Sequence, residues 1–209
     1  MRRLFRRLER RGVEPSTLHV LELFGGSGTF HTVDYATLVA SLEVWEIDRR
    51  HEPSLRRSLP GAVIRFVDTF AELDRATERY DLVVVDNPMS TWKGRCEHFD
   101  LFPSIFRLLK EESIVVLNVI PLIPPSARER YPYLFNREQL ARRTAFYRTS
   151  HPEDVSLGKM IETYERLAQT AGYCIRWHVL ARRHFVYYLA LSLERKKSHH
   201  RVTDGVEAA

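Results

Sequence analysis

Short apolar runs recur along the chain, and most are followed by a stretch with helical spacing or by a Gly/Pro break. Residues 1–12 read as a helix, with Leu4, Phe5 and Leu8 on one face and Gly12 and Pro15 as the stop. A strand over 18–24 ends in the turn Gly25-Gly26-Ser27-Gly28 and leads into a predicted helix over 33–40. Next come a strand over 42–47, a short helix between Pro53 and Pro60, a strand over 62–67 and a helix over 70–76. The run 80–86 is continuously apolar until its last residue, as expected of a strand covered on both faces. A helix is predicted over 98–110, with Pro103 in its first turn, and a strand over 113–119. Residues 121–151 are irregular at first and rich in Tyr, Phe and Arg. An amphipathic helix follows over 157–170, with Gly172 as its cap. Two β runs, 173–180 and 185–193, close the pattern around Ala181-Arg182-Arg183-His184.

Alternating strands and helices imply a parallel sheet, and a terminal pair joined by a short turn must be antiparallel. The expected class is therefore α/β, a doubly wound, mostly parallel seven-stranded sheet with an antiparallel C-terminal strand. The layout read from the pattern is a basic helix over 1–12, one domain over 13–195 with 121–151 as a substrate lid, and a disordered tail over 196–209.

Composition narrows the partners. The chain has 209 residues, 44% hydrophobic and 28% charged, with a net charge of +5. That excess of cations permits an anionic partner without requiring one. No apolar run approaches the roughly 20 residues needed to cross a bilayer, so no membrane association is expected. Cys96 and Cys174 have neither zinc nor redox spacing and read as free thiols in a reducing cytoplasm. Cys96-Glu97-His98 lacks a second ligand cluster, so no metal is expected.

Four short segments are candidates for the chemistry. The run from Val20 to Phe30, VLELFGGSGTF, places glycines between a strand and the next element, which allows a ligand close to the backbone. A tight turn without a ligand is the competing reading. Glu46 and Asp48 end the second strand about twenty residues later, where a carboxylate meets ribose hydroxyls in dinucleotide folds. Asp68 follows the third strand, either as an acceptor for an adenine amino group or as a helix N-cap. Asp86-Asn87-Pro88-Met89 follows the fourth strand, either holding a substrate atom or forming an Asx-Pro turn.

These segments together resemble the class I S-adenosylmethionine-dependent methyltransferases over about residues 18–193. ELFGGSG is similar to the first motif of the N6-adenine and guanine-N2 nucleic-acid methyltransferases, D/E-L-F-x-G-x-G. WEID is similar to the acidic ribose-binding step, and YDLVVVDNPM to the fourth motif, (D/N/S)-P-P-(Y/F). The resemblance implies S-adenosyl-L-methionine held by Glu22, Phe24, Gly25, Gly26, Gly28, Glu46, Asp48, Asp68 and Asp86. It implies chemistry beside Asp86, Asn87 and Pro88, on a nitrogen of a nucleic-acid base.

The chain departs from the fourth motif at Asn87 and Met89, and the aromatic that would stack on an extruded base is missing there. Trp92 is the nearest replacement, with plain packing as its other reading. Met89, Trp92, Tyr131, Arg142 and Arg143 are the candidate substrate contacts, the last three from a segment that interleaves aromatics with arginines. RNA or DNA is the expected partner. A small molecule, a protein side chain, or a non-catalytic binding role for the fold are the alternatives.

Overall fold

The computed structural model describes residues 1–86, 90–102 and 104–196, with the side chains of Trp92, Arg128 and Phe135 excepted. Asn87, Pro88 and Met89, the Trp92 side chain and the tail therefore lie outside the described residues.

Seven strands form one sheet: β1 (His19–Leu23), β2 (Ser41–Glu46), β3 (Val63–Phe66), β4 (Tyr80–Val85), β7 (Leu109–Val119), β8 (Tyr173–Arg183) and β9 (Val186–Arg195). Their order is β3-β2-β1-β4-β7-β9-β8. The pairs β2–β3, β1–β2, β1–β4 and β4–β7 are parallel, and β9 runs antiparallel to both β7 and β8. This is the sheet anticipated from the pattern. A small hairpin, β5 (Thr91–Trp92) and β6 (Arg95–Cys96), stands apart from it.

Alternation explains why β4 has no polar interior position. Leu82 and Val84 face one core with Val20, Val44 and Ile114, while Val83 and Val85 face the other with Leu21, Leu23 and Val115. Helix α1 (Arg2–Glu9) closes the first core by burying Leu4, Phe5 and Leu8. Helix α2 (Glu52–Ser58) adds Leu55 to the same side. On the opposite side lie α3 (Thr69–Leu73), α5 (Arg137–Tyr147) and α6 (Leu157–Thr170). There, an aromatic cluster of Phe99, Phe102, Phe146, Tyr147 and Tyr164 surrounds the buried His98.

Two predicted helices are absent. Instead of a helix over 33–40 the chain makes one 3-10 turn, Thr32–Asp34. The segment HTVDY holds β-branched and aromatic residues with weak helix propensity. Its polar side chains are also captured elsewhere, Thr32 and Tyr35 by Glu22 and Asp34 by Arg2. Phe5 stacks on Tyr35 at 5.0 Å, so α1 covers the face that the missing helix would have covered. Over 98–110 there is only the 3-10 helix Ser104–Leu108, and β7 starts at Leu109. Phe99, Leu101, Ile105, Phe106, Leu108 and Leu109 are all buried while Asp100 and Arg107 stay exposed, but Asp100 is captured by Cys96 N and Arg142, which holds the described residues before Ser104 in turns.

The predicted lid splits in two. Its C-terminal half is α5, part of the core, so Phe146 packs inside and does not cover a crevice. Arg143, expected to touch substrate, is 1% exposed and donates to the carbonyls of Pro152 (2.5 Å) and Ile120 (2.7 Å). Arg142, likewise expected to touch substrate, donates to Asp100 at 2.7 Å and to the carbonyl of Gly94, tying α5 to the β5–β6 hairpin. Both corrections have one cause: backbone carbonyls at strand and hairpin ends lack ladder partners, and a guanidinium fork satisfies them.

Arg143→Met should keep the volume and lose the donors. It is expected to destabilise the fold by about 2–4 kcal/mol, the cost of stranding buried acceptors. Urea denaturation measures this, and an unchanged midpoint would reject Arg143 as a structural tie.

Candidate active site

The carboxyl ends of β1, β4 and β7 open into a crevice of about 830 Å³. The glycine turn forms one wall. Gly25 is packed so tightly on β2 that a Cβ there would lie 2.2 Å from Val44 Cγ1. Gly26 (φ +53°) and Gly28 (φ +71°) have left-handed backbones that glycine alone adopts without cost. A Cβ on Gly26 would meet nothing within 4 Å, so this stretch of backbone faces open space. Phe24 precedes the turn with φ 61°, and His184 on the opposite rim has φ 54°. Two of the four described non-glycine residues in this strained region thus line the crevice, where strain concentrates at working sites.

Glu46 fixes the turn. Its Oε2 accepts from Gly26 N at 2.6 Å, and its Oε1 accepts from Ile47 N and Asp48 N at 2.8 and 2.7 Å. The predicted acid at the end of β2 therefore grips the glycine backbone across twenty residues. Glu97, near enough to feel the Glu46 charge, has its carboxyl pushed up to about 7, first by burial and then by that charge. Asp48 is held down to about 2 by hydrogen bonds from Arg50. Asp68 caps α3, its Oδ1 accepting from Phe70 N at 3.0 Å, and it stands outside the crevice lining.

Glu22 lies under the turn. It accepts from Thr32 at 2.8 Å and from the Tyr35 hydroxyl, so both of its oxygens are engaged by the segment after the glycines. Burial pushes its carboxyl up to about 8 against those two hydrogen bonds.

Asp86 leaves the end of β4 with its Oδ1 accepting from the Asn118 amide of β7. Burial pushes it up to about 7, with the Asn118 bond opposing. The Asn118 Oδ1 is buried and has no partner among the described residues, and Asn118 lines the crevice. Asp86 Oδ2 lies 3.8 Å from His31 Nε2. That contact is not an ion pair, because burial and then Arg183 lower His31 to about 4 and keep it neutral. Arg183 Nη1 donates to the same His31 nitrogen, joining the glycine-loop side to the β8–β9 turn.

The far wall comes from α4 (Ala127–Arg130) and the residues after it. Arg130, Tyr131, Tyr133 and Leu134 line it, and the Tyr131 ring meets Phe185 at 5.8 Å. Of the predicted sites, Glu22, Phe24, Gly25, Gly26, Gly28, Asp86 and Tyr131 share this crevice. Sequence reasoning missed Asn118, His31 and Arg183. A polar residue inside the apolar run IVVLNVI was a usable signal for Asn118. Nothing local marks His31 and Arg183, which meet across 152 residues. Among the described residues, no group of three or more His, Cys, Asp or Glu suits a metal.

No protein-family model and no curated protein matches the chain. Solved structures do match in fold. A ribosomal protein L11 methylase from Lactobacillus delbrueckii subsp. bulgaricus is 15% identical, with 91% of this chain and 75% of that one covered and a TM-score of 0.52. TrmN from Thermus thermophilus is 16% identical over 90% of this chain and 46% of its own, with a TM-score of 0.51. Magnesium protoporphyrin IX methyltransferase (ChlM) from Synechocystis PCC 6803, solved with bound SAH, is 14% identical over 93% and 81%, with a TM-score of 0.56. The chain thus has the class I methyltransferase fold.

The Glu22 carboxyl generates a pH test. Its folded pKa exceeds the ordinary 4.5, so the folded state holds the extra proton, and stability falls as pH rises from about 4.5 to about 8. Glu22→Gln should therefore gain on the parent across that window, by at most about 1.4 kcal/mol per pH unit. Urea midpoints at pH 5 and 8.5 read the difference, and parallel behaviour of the two proteins would reject the buried acid.

Proposed function

We propose that this protein is an S-adenosylmethionine-dependent methyltransferase acting on a nitrogen of a nucleic-acid base. The observation that carries the reading is the crevice at the strand ends, where an open glycine backbone stands opposite the Asp86–Asn118 pair. Open α/β sheets bind ligands at this edge.

The residues present suit the cofactor. Space beside Gly26 lets a ligand approach the backbone, and the orphaned Asn118 carbonyl asks for a donor such as an amino group. Glu46 stands behind the crevice lining and holds the glycine turn through Gly26 N, Phe24 offers an apolar wall, and SAH in the ChlM neighbour supports the same cofactor class. S-adenosylmethionine supplies, when bound, an electrophilic methyl carbon. The work left to the protein is positioning and proton handling.

Asp86 is suited to the second task. A carboxyl near 7 is an effective acceptor at neutral pH for the proton that an amine loses on alkylation. Asn118 holds Asp86 Oδ1 in place and offers its own carbonyl to a second N–H. Asn87 and Pro88 remain part of the proposed catalytic loop on the strength of the motif alone.

The crevice mouth supports a nucleic-acid substrate. Phe30 (77% exposed) and Tyr133 (46%) are large apolar side chains left at its lining, and Arg130 and Arg183 share it. Exposed rings beside guanidinium groups suit bases and phosphates. A compact aromatic substrate is the second reading, favoured by the Tyr131–Phe185 contact that narrows the far wall.

Transfer of labelled methyl from S-adenosylmethionine to total RNA, DNA, protein and a small-molecule panel tests the substrate. Glu46→Ala should weaken SAH binding ten- to a hundredfold in calorimetry, the worth of about 1.5–3 kcal/mol for a charged acceptor. Absence of SAH binding by the parent would reject the cofactor. Turnover should rise with pH through about 7 as Asp86 loses its proton, and Asp86→Asn should remove most turnover and flatten that limb. A profile that is flat in the parent would remove Asp86 from the proton path.

A further inference from the structure

Helix α1 is built against its own electrostatics. Arg2, Arg3, Arg6, Arg7, Arg10 and Arg11 are all exposed, and Glu9 is the lone acid among them. Four like-charge pairs stand at i,i+4: Arg2–Arg6, Arg3–Arg7, Arg6–Arg10 and Arg7–Arg11. Each of them weakens a helix. Arg2 and Arg3 add cations at the positive end of the macrodipole, and no acid stands in the first turn. Arg2 pairs with Asp34 at 2.8 Å, whereas Arg3, Arg6, Arg7, Arg10 and Arg11 have no ion pair among the described residues.

Stability of the fold does not ask for this arrangement. The burial of Leu4, Phe5 and Leu8 secures the helix, and the arginines cover the arc opposite them. Arg7, Arg10 and Arg11 also converge, with Val179 of β8, on a groove of about 280 Å³ that has no acid on its lining. Three arginines meeting at one small groove concentrate positive charge there.

The direction of the helix links this face to the crevice. Its first residue lies at the crevice end, where the Met1 amino group is 3.6 Å from Asp34 and feels the charges of Asp86 and Arg183. Its last turn lies at Val179, four residues before Arg183 on β8. At 1.5 Å per residue, the span from Arg2 to Arg11 is about 14 Å. One strand of a duplex presents a phosphate about every 3.4 Å of axis, so the span matches roughly four phosphates.

The geometry points to the exposed face of α1 as a docking track for the phosphate backbone of the nucleic acid whose base enters the crevice. The inference rests on the nucleic-acid reading above and adds to it a surface outside the crevice. An anionic membrane is the less suited partner, because the apolar face that would enter lipid is already buried against the sheet.

The test uses the full chain with Arg3, Arg6, Arg7 and Arg10 replaced by Gln, and a control chain with the exposed Arg57 and Arg75 replaced by Gln. Probes are a 20-nucleotide single-stranded RNA, a 20-base-pair duplex, SAH and phosphatidylserine vesicles. The quadruple variant should keep the parent's SAH affinity and hold or raise the thermal midpoint, since no core contact is touched and the like-charge pairs are relieved. Its affinity for nucleic acid should drop more than tenfold near 0.1 M salt. The slope of log affinity against log salt should shrink by about 3, at 0.7–0.9 per phosphate contact. The control should match the parent. Equal RNA or duplex binding by parent and quadruple variant overturns the track but leaves the substrate reading intact. Parent binding to SAH without binding to either nucleic acid overturns both. A variant that loses vesicle binding while neither protein binds nucleic acid reassigns the face to a membrane.

Discussion

The central strands are covered on both faces, and that constraint decides where chemistry can be. β4 is apolar from Leu82 to Val85, each residue fully buried, so the first position able to hold a carboxyl is Asp86, past the last ladder bond. β7 obeys the same rule from Ile114 to Leu117 and breaks it at Asn118, one residue before its end. β1 places Glu22 next to its terminus and β2 ends on Glu46. A parallel sheet aligns these ends along one edge, so four polar side chains converge without any of them being close in sequence. Burial then raises Glu22 to about 8 and Asp86 to about 7, so the edge that gathers the acids also keeps them near neutrality.

Glu22 shows how one such group replaces an element of structure. A helix after the glycine turn would have satisfied its own backbone groups. Here Thr32 and Tyr35 turn their hydroxyls to Glu22, and the chain makes a single 3-10 turn. The sheet face left uncovered is filled by α1 through the Phe5–Tyr35 stack. The N-terminal helix is thus joined to the site by an unbroken chain of contacts from Phe5 through Tyr35 to Glu22.

Much of this was legible in the sequence, for a physical reason. Buried strands need long apolar runs and glycine turns need glycine, so all seven strands and the 25–28 turn could be read directly. The helix over 157–170 was legible to its ends, because Ser156 caps it and Gly172 follows it. What failed was anything decided by distant partners. Arg142 and Arg143 looked like substrate contacts because an arginine carries no mark of whether carbonyls or phosphates will meet it. The predicted helices over 33–40 and 98–110 had plausible spacing but lost to tertiary capture, of Thr32 and Tyr35 by Glu22 and of Asp100 by Cys96 N and Arg142. His31 and Arg183 belong to the same class, since only closure of the sheet brings them together.

The two arginine-rich segments of the chain show why charge counts alone mislead. Two of the three in α5 are consumed by the fold: Arg143 by two carbonyls, Arg142 by Asp100, Glu138 and a carbonyl. Those of α1 make no ion pair among the described residues, apart from Arg2, and only Arg10 adds a hydrogen bond, to the Arg6 carbonyl. A buried guanidinium with saturated donors adds little to the field outside, whereas five exposed ones within little more than two turns sum over a Debye length of about 8–10 Å. The basic character of the chain therefore acts mainly through α1 and through Arg130 and Arg183 at the crevice. A polyanion approaching this molecule meets the helix and the crevice as one continuous field, since the first turn of α1 stands beside the loop that carries His31 and Asp34.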